Sequence, residues 1–180
     1  MFIDASLHLS KEYELKADEI AEIVCTVPPG QVKRNFEPEH VKYSPANGYA
    51  AISSIPYMVA AALVEGRLTL KEVTDEKVRD PQILALARKV KWHVDRSYRD
   101  YQNAAVEIRL KDGRSCKREQ TDAIGSPEIP APRELVESKF RANAEYGMVS
   151  KHANRIIEVV SGLENSADIN ELTGLLRRST

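Results

Sequence analysis

Ser54 and Tyr57 stand three residues apart in the run Ser53-Ser54-Ile55-Pro56-Tyr57-Met58-Val59-Ala60-Ala61-Ala62-Leu63-Val64-Glu65-Gly66. On a helix that spacing puts both side chains on one face. Two neighbouring hydroxyls can donate hydrogen bonds to a substrate carboxylate, which makes Ser54 and Tyr57 the substrate-binding candidates of this sequence. The same pair admits a plainer reading: a helix cap, then a core tyrosine whose hydroxyl finds a backbone partner. Elsewhere the chemistry is sparse. None of His8, His40, His93 and His152 stands close in sequence to a cysteine or another histidine. His8 and His152 read as solvent-facing, His93 as packed beside Trp92, and His40 as a solvated loop histidine, with reach to a ligand as its alternative. Lys139 and Arg141 flank Phe140, a core anchor between two solvated cations. There is no glycine-rich phosphate loop, no Cys-x-x-Cys and no metal-ligand pair at helical spacing. No nucleophile–base–orienter set can be assembled, so no complete catalytic set is expected in this chain.

The run that holds Ser54 and Tyr57 is punctuated as a helix. Ser53 or Ser54 caps its first amides, Pro56 falls in the first turn, and Gly66 supplies a left-handed end. It is apolar nearly all round, so it belongs in the middle of a domain. A helix is expected from Phe2 to Tyr13; it opens without a cap or lead-in, as a fragment would. A strand over Ile20–Val27 is stopped by Pro28-Pro29-Gly30. Residues 31–48 are polar and aperiodic and read as a long loop, a kind often functional or mobile. One or two short helices follow over 70–78, and Asp80-Pro81 opens another that turns Ile83, Leu84, Leu86 and Val90 inward. Residues 91–95 are extended. Residues 103–111 alternate as a strand, Asp112-Gly113 signals a hairpin, and residues 114–121 return as a polar edge strand. After a linker-like turn over 125–132, three helical segments follow. The expected fold is α+β: a small antiparallel sheet packed with helices over residues 1–124, then a linker and helical tail over 125–180.

With 180 residues and 42% hydrophobic composition the chain can bury a real core. A net charge of −1 provides no long-range field for nucleic acid or acidic lipid. Cys25 and Cys116 lie in strand-like runs as small buried hydrophobes and make no disulfide framework. No apolar segment reaches roughly 18 residues, and no signal peptide is visible. The expectation is a soluble, cytoplasmic protein with neither nucleic acid nor membrane as partner.

Several segments together resemble the carboxyl-terminal part of the MmgE/PrpD family, the family of 2-methylcitrate dehydratase. Ser54-Ile55-Pro56-Tyr57-Met58-Val59-Ala60 resembles its serine-x-proline-tyrosine-x-valine-alanine helix, and Leu110-Lys111-Asp112-Gly113-Arg114 its hairpin turn. Gly125-Ser126-Pro127-Glu128 followed by Lys139-Phe140-Arg141 is similar to its glycine-x-proline turn and lysine-phenylalanine-arginine helix. Ile3-Asp4-Ala5 and Asp80-Pro81 fit the same order, so the likeness covers nearly the whole chain. The resemblance implies a lid domain whose terminal helices return to a large all-helical domain, with the active site in the cleft between them. It implies dehydration, decarboxylation or epimerisation of small di- or tricarboxylates, without metal or organic cofactor. Most of the family's catalytic groups belong to the helical domain, and its histidine before the isoleucine-aspartate pair falls at or before Met1. The resemblance therefore implies an isolated chain that is inactive. Its partners would be a carboxylate substrate and an amino-terminal helical domain or partner chain. The alternative is a non-catalytic module that self-associates as a homo-oligomer.

Overall fold

A computed structural model of the chain describes residues 1–99, 102–147 and 149–177. These fall into two compact units, Met1–Pro130 and Ala131–Thr180.

The first unit is built on four strands: β1 (Ile20–Val27), β2 (Val90–Val94), β3 (Ala104–Leu110) and β4 (Ser115–Gln120). Their order is β2-β1-β3-β4. Alternation fixes the register of β3, which buries Val106, Ile108 and Leu110 and turns Glu107 and Arg109 outward. On the outward face Arg109 meets Glu22 of β1 at 2.7 Å and Glu107 at 2.8 Å. Asp112-Gly113 makes the expected β3–β4 hairpin, with Gly113 at φ 91°. The sheet is mixed, where an antiparallel one was expected. β2 runs parallel to β1, pairing Ile23 with Val90 and Val27 with Val94. A parallel neighbour needs a long crossover, and residues 28–89 supply it.

Helices cover the sheet. α1 (Phe2–Glu12) packs on β3 and β4 and buries Phe2, Ala5, Ser6 and Leu9. α5, which spans Ile55–Glu65, packs against α1 and against α6 (Pro81–Ala87). It buries Pro56, Tyr57, Val59, Ala60, Ala61, Ala62 and Leu63, as an all-round apolar helix must. Of these, Val59 and Leu63 each contribute about 1.5–3 kcal/mol of transfer free energy, and the alanines less. Gly66 ends the helix at φ 67° in the left-handed region. Asp80 caps α6 through the amides of Gln82 and Ile83.

Residues 31–48, expected as a loop, hold single helical turns instead: α2 (Val32–Asn35), α3 (Glu39–Lys42) and the start of α4 (Gly48–Ile52). Turns of four or five residues are too short to leave a 3.6-residue pattern in sequence. Packing fixes them. Phe36 is fully buried and stacks edge-on against Phe2 at 5.8 Å and tilted against Trp92 at 5.7 Å.

The second unit holds α7 (Arg133–Tyr146), α8 (Ala153–Ser161) and α9 (Asn170–Leu175). Val136 and Phe140 of α7 and Ile156, Ile157 and Val160 of α8 line an apolar groove of about 270 Å³. Residues 148 and 178–180 of the expected tail lie outside the described residues.

Candidate functional site

Ser54 and Tyr57 are both completely buried. Ser54 is the cap of α5: its Oγ accepts the Tyr57 amide at 3.1 Å and donates to the Lys42 carbonyl. The Tyr57 hydroxyl donates to the Glu72 carbonyl at 2.8 Å. Burial, with the charges of Asp80, Glu72 and Glu65 opposing that of Lys77, pushes its phenol up to about 12. Both hydroxyls thus act on the backbone, and together they fix where the first turn of α5 sits.

That turn forms one wall of an open cleft of about 540 Å³. Phe2 and Ile3 of α1 line it, as do Ile52, Ser53 and Ile55 at the α4–α5 junction, so it lies where two of the resemblance-bearing segments meet. Its polar side comes from the crossover: Gln31, Arg34, Asn35 and Tyr49. Asn35 Nδ2 donates to Gln31 Oε1 at 3.2 Å, which holds both amides in place. Arg34 is exposed and makes no ion pair among the described residues. Tyr49 is 87% exposed and Ile52 56% exposed, both large side chains standing open to solvent. Neither histidine nor carboxylate appears among the described lining residues. The cleft can therefore grip an anion through a guanidinium, amides and hydroxyls, and no histidine or carboxylate among its described lining residues offers a general base.

Lys42 underlies this wall. Its side chain is buried, and its Nζ donates to the Ser53 carbonyl at 2.6 Å and to Ser53 Oγ at 3.1 Å. Burial, then the nearby Arg34 charge, holds its ammonium below the usual lysine range. Sequence reasoning missed Gln31, Arg34, Asn35, Lys42 and Tyr49; the one available signal was the length of the polar stretch 31–48 that contains four of them.

A second cleft, about 450 Å³, is lined by Glu39, His40, Tyr43, Arg88, Lys91 and Trp92. Tyr43 spends its hydroxyl on the Val90 carbonyl at 2.8 Å, and burial pushes that phenol up to about 12. Among the described residues no side-chain hydrogen bond or ion pair joins these lining groups to one another. The other histidines are placed apart. His8 meets Glu12 at 3.1 Å on the exposed side of α1. His93 is exposed on β2, with Thr26 Oγ1 at 3.1 Å, rather than packed beside Trp92. No group of histidine, cysteine and carboxylate side chains among the described residues is arranged to hold a metal ion. Cys25 and Cys116 are buried free thiols, and burial pushes Cys25 up to about 12. No helix of the described residues is long and apolar enough to cross a membrane.

Comparison with known proteins agrees with the resemblance. The family model of the MmgE/PrpD C-terminal domain matches residues 1–165. Cis-aconitate decarboxylase of Mus musculus is 30% identical over 165 residues, 89% of this chain and 32% of that protein. The Homo sapiens cis-aconitate decarboxylase is 28% identical over 167 residues, 91% of this chain and 33% of that protein. The mitochondrial 2-methylcitrate dehydratase of Yarrowia lipolytica is 40% identical over 81 residues, 40% of this chain and 16% of that protein. The chain thus spans about a third of the length of the decarboxylases it matches. On the match over residues 1–165, this α+β unit and the helices that follow it belong to the MmgE/PrpD family, as its C-terminal domain.

Proposed function

We propose that this chain is the lid portion of an MmgE/PrpD-type lyase acting on small di- or tricarboxylates, inactive until an amino-terminal helical domain or a partner chain completes its site. One observation carries the reading: a cleft at the first turns of α1 and α5 with an unpaired guanidinium and no histidine or carboxylate among its described lining residues. Such a cleft holds a carboxylate and offsets the charge that develops when the adjacent carbon loses a proton. It does not itself remove that proton, so the base has to come from elsewhere. The names of the relatives point to cis-aconitate and 2-methylcitrate as the compounds to test. With two free buried thiols, a cytoplasmic location belongs to the same proposal.

The test is an assay of the 180-residue chain with each compound, alone and with a family helical domain supplied in trans. The expected result is no turnover alone and turnover with the helical domain. Turnover by the chain alone at ordinary enzyme rates, on the order of 1–10³ s⁻¹, overturns the proposal.

A second reading, a non-catalytic self-associating module, is favoured by the apolar side chains that the second unit leaves open. Val136 is 55% exposed, Val160 51% and Ile169 53%. Surfaces of that kind are ordinarily covered. Light scattering separates the readings: a stable homo-oligomer that gains no activity from an added helical domain favours the second.

A further inference from the structure

The buried charged side chains of the described residues are Lys42 and Glu72. They are treated differently. Glu72 is answered by Arg67 at 3.0 Å and by the Thr69 amide and hydroxyl. Lys42 meets only neutral acceptors, the carbonyl and hydroxyl of Ser53, and pairs with no carboxylate among the described residues. Arg34 acts on it electrostatically, and its acceptor Ser53 is both the C-cap of the short α4 and the residue before the cap of the eleven-residue α5, whose N-terminal end carries the positive pole of the helix. A buried ammonium set beside like charge works against the fold. Groups arranged at such cost are characteristic of binding sites. Both neighbours that define Lys42's setting, Ser53 and Arg34, line the cleft of about 540 Å³.

We propose that Lys42 is a positioning residue of this cleft: it fixes the Ser53 wall and adds a second fixed positive charge behind Arg34, so that the cleft selects ligands with two or more carboxylates over monocarboxylates. This inference rests on reading the cleft as a carboxylate site. The placement is specific at both ends of the residue. The ammonium holds Ser53, and the carbonyl of Lys42 accepts the Ser54 hydroxyl, so α3 is tied to the α4–α5 junction twice. A ligand bearing several charges at the cleft then lies against Arg34 and within the field of the buried Lys42 behind Ser53, and its binding offsets the repulsion between the two cations.

The test uses the whole chain, with citrate and acetate as probes, titrated by NMR at fixed ionic strength. The proteins are the unaltered chain, Lys42→Met, Lys42→Arg, Arg34→Met and, as an exposed control on α2, Lys33→Met. The unaltered chain is expected to prefer citrate. Lys42→Met is expected to weaken citrate about tenfold and acetate by less than about twofold, with Lys42→Arg restoring most of the preference and Lys33→Met leaving it in place. A purely structural spanner would lower the melting temperature and leave the citrate-to-acetate ratio alone; that outcome, in a folded Lys42→Met protein, overturns the proposal. If Arg34→Met abolishes the preference while Lys42→Met does not, the cleft reading stands and Lys42's part in it falls. If the unaltered chain binds neither probe, the cleft reading fails and takes this inference with it. Should Lys42→Met not fold, the side-chain nitrogen signal of Lys42 is followed in the unaltered chain. It is expected to shift with citrate and not with acetate, and a signal unmoved at saturating citrate overturns the proposal.

Discussion

Tyr57 and Glu72 meet in one buried knot, the phenol donating to the Glu72 carbonyl while the Glu72 carboxylate takes the Thr69 amide and hydroxyl and the Arg67 guanidinium. Removing the Tyr57 hydroxyl leaves that carbonyl unpaired, so Tyr57→Phe is expected to lower unfolding free energy by about 1–2 kcal/mol in a urea titration. The carboxylate carries a pH signature. Burial pushes its pKa up, the Thr69 and Arg67 hydrogen bonds overcome that, and the net value lies below its ordinary 4.5. Its stabilisation is therefore complete above 4.5 and is lost as pH falls through the lower folded value. Glu72→Gln is expected to flatten the acid limb of a stability-against-pH curve; an unchanged limb would show that Glu72 is not its source. At this scale the sequence was partly legible. Ser54, Pro56 and Gly66 announce their roles through position alone, because caps and φ limits are local. Lys42 announces nothing, because its burial depends on α3 meeting a junction eleven residues further on.

Gly48 shows how tightly the elements of the crossover are set. Its amide donates to Asp75 Oδ1 at 2.8 Å, and a Cβ there would stand 2.0 Å from the Val73 carbonyl oxygen. Gly48→Ala must move backbone, and a loss of about 2–4 kcal/mol is expected by thermal or chemical denaturation. A near-neutral variant would mean that this contact yields easily. Alternation and punctuation made the long elements readable: α1, α5, β1 and the β3–β4 hairpin lie where those signals put them, while the helix opened by Asp80-Pro81 ends at Ala87 and leaves Val90 to begin β2. The parallel placement of β2 was not readable. Five extended residues do not say which neighbour they take, and the nearest hairpin signal is antiparallel. The turns α2, α3 and α4 were hidden for a related reason, since Phe36, not a repeating pattern, holds that stretch down.

The two units differ in how they are held. The main hydrophobic cluster runs from Phe2 to Cys116, entirely within Met1–Pro130. Among the described residues of the second unit only Ala144, Ala153 and Ile156 are buried, and its ion pairs, such as Arg133–Glu137 and Arg155–Glu158, are surface pairs. Surface pairs contribute about 0–1 kcal/mol each. A chain ending at Pro130 is therefore expected to unfold cooperatively with a midpoint close to that of the whole chain, while residues 131–180 alone are expected to show little helix by circular dichroism. A loss of cooperativity in the shortened chain would show that the first unit depends on the second. The boundary falls in the Gly-, Ser- and Pro-rich stretch visible in sequence, because those residues interrupt regular structure wherever they cluster.

The parallel edge strand has a consequence for assembly. Of the sheet's three pairings only β3 with β4 joins segments close in sequence; Ile23 must wait for Val90, and Cys25 for Val106. Closing such long loops is slow. On refolding, pulse-labelled exchange should find the hairpin sheltered early and the crossover late, so that the cleft its residues line is the last surface the nascent molecule completes.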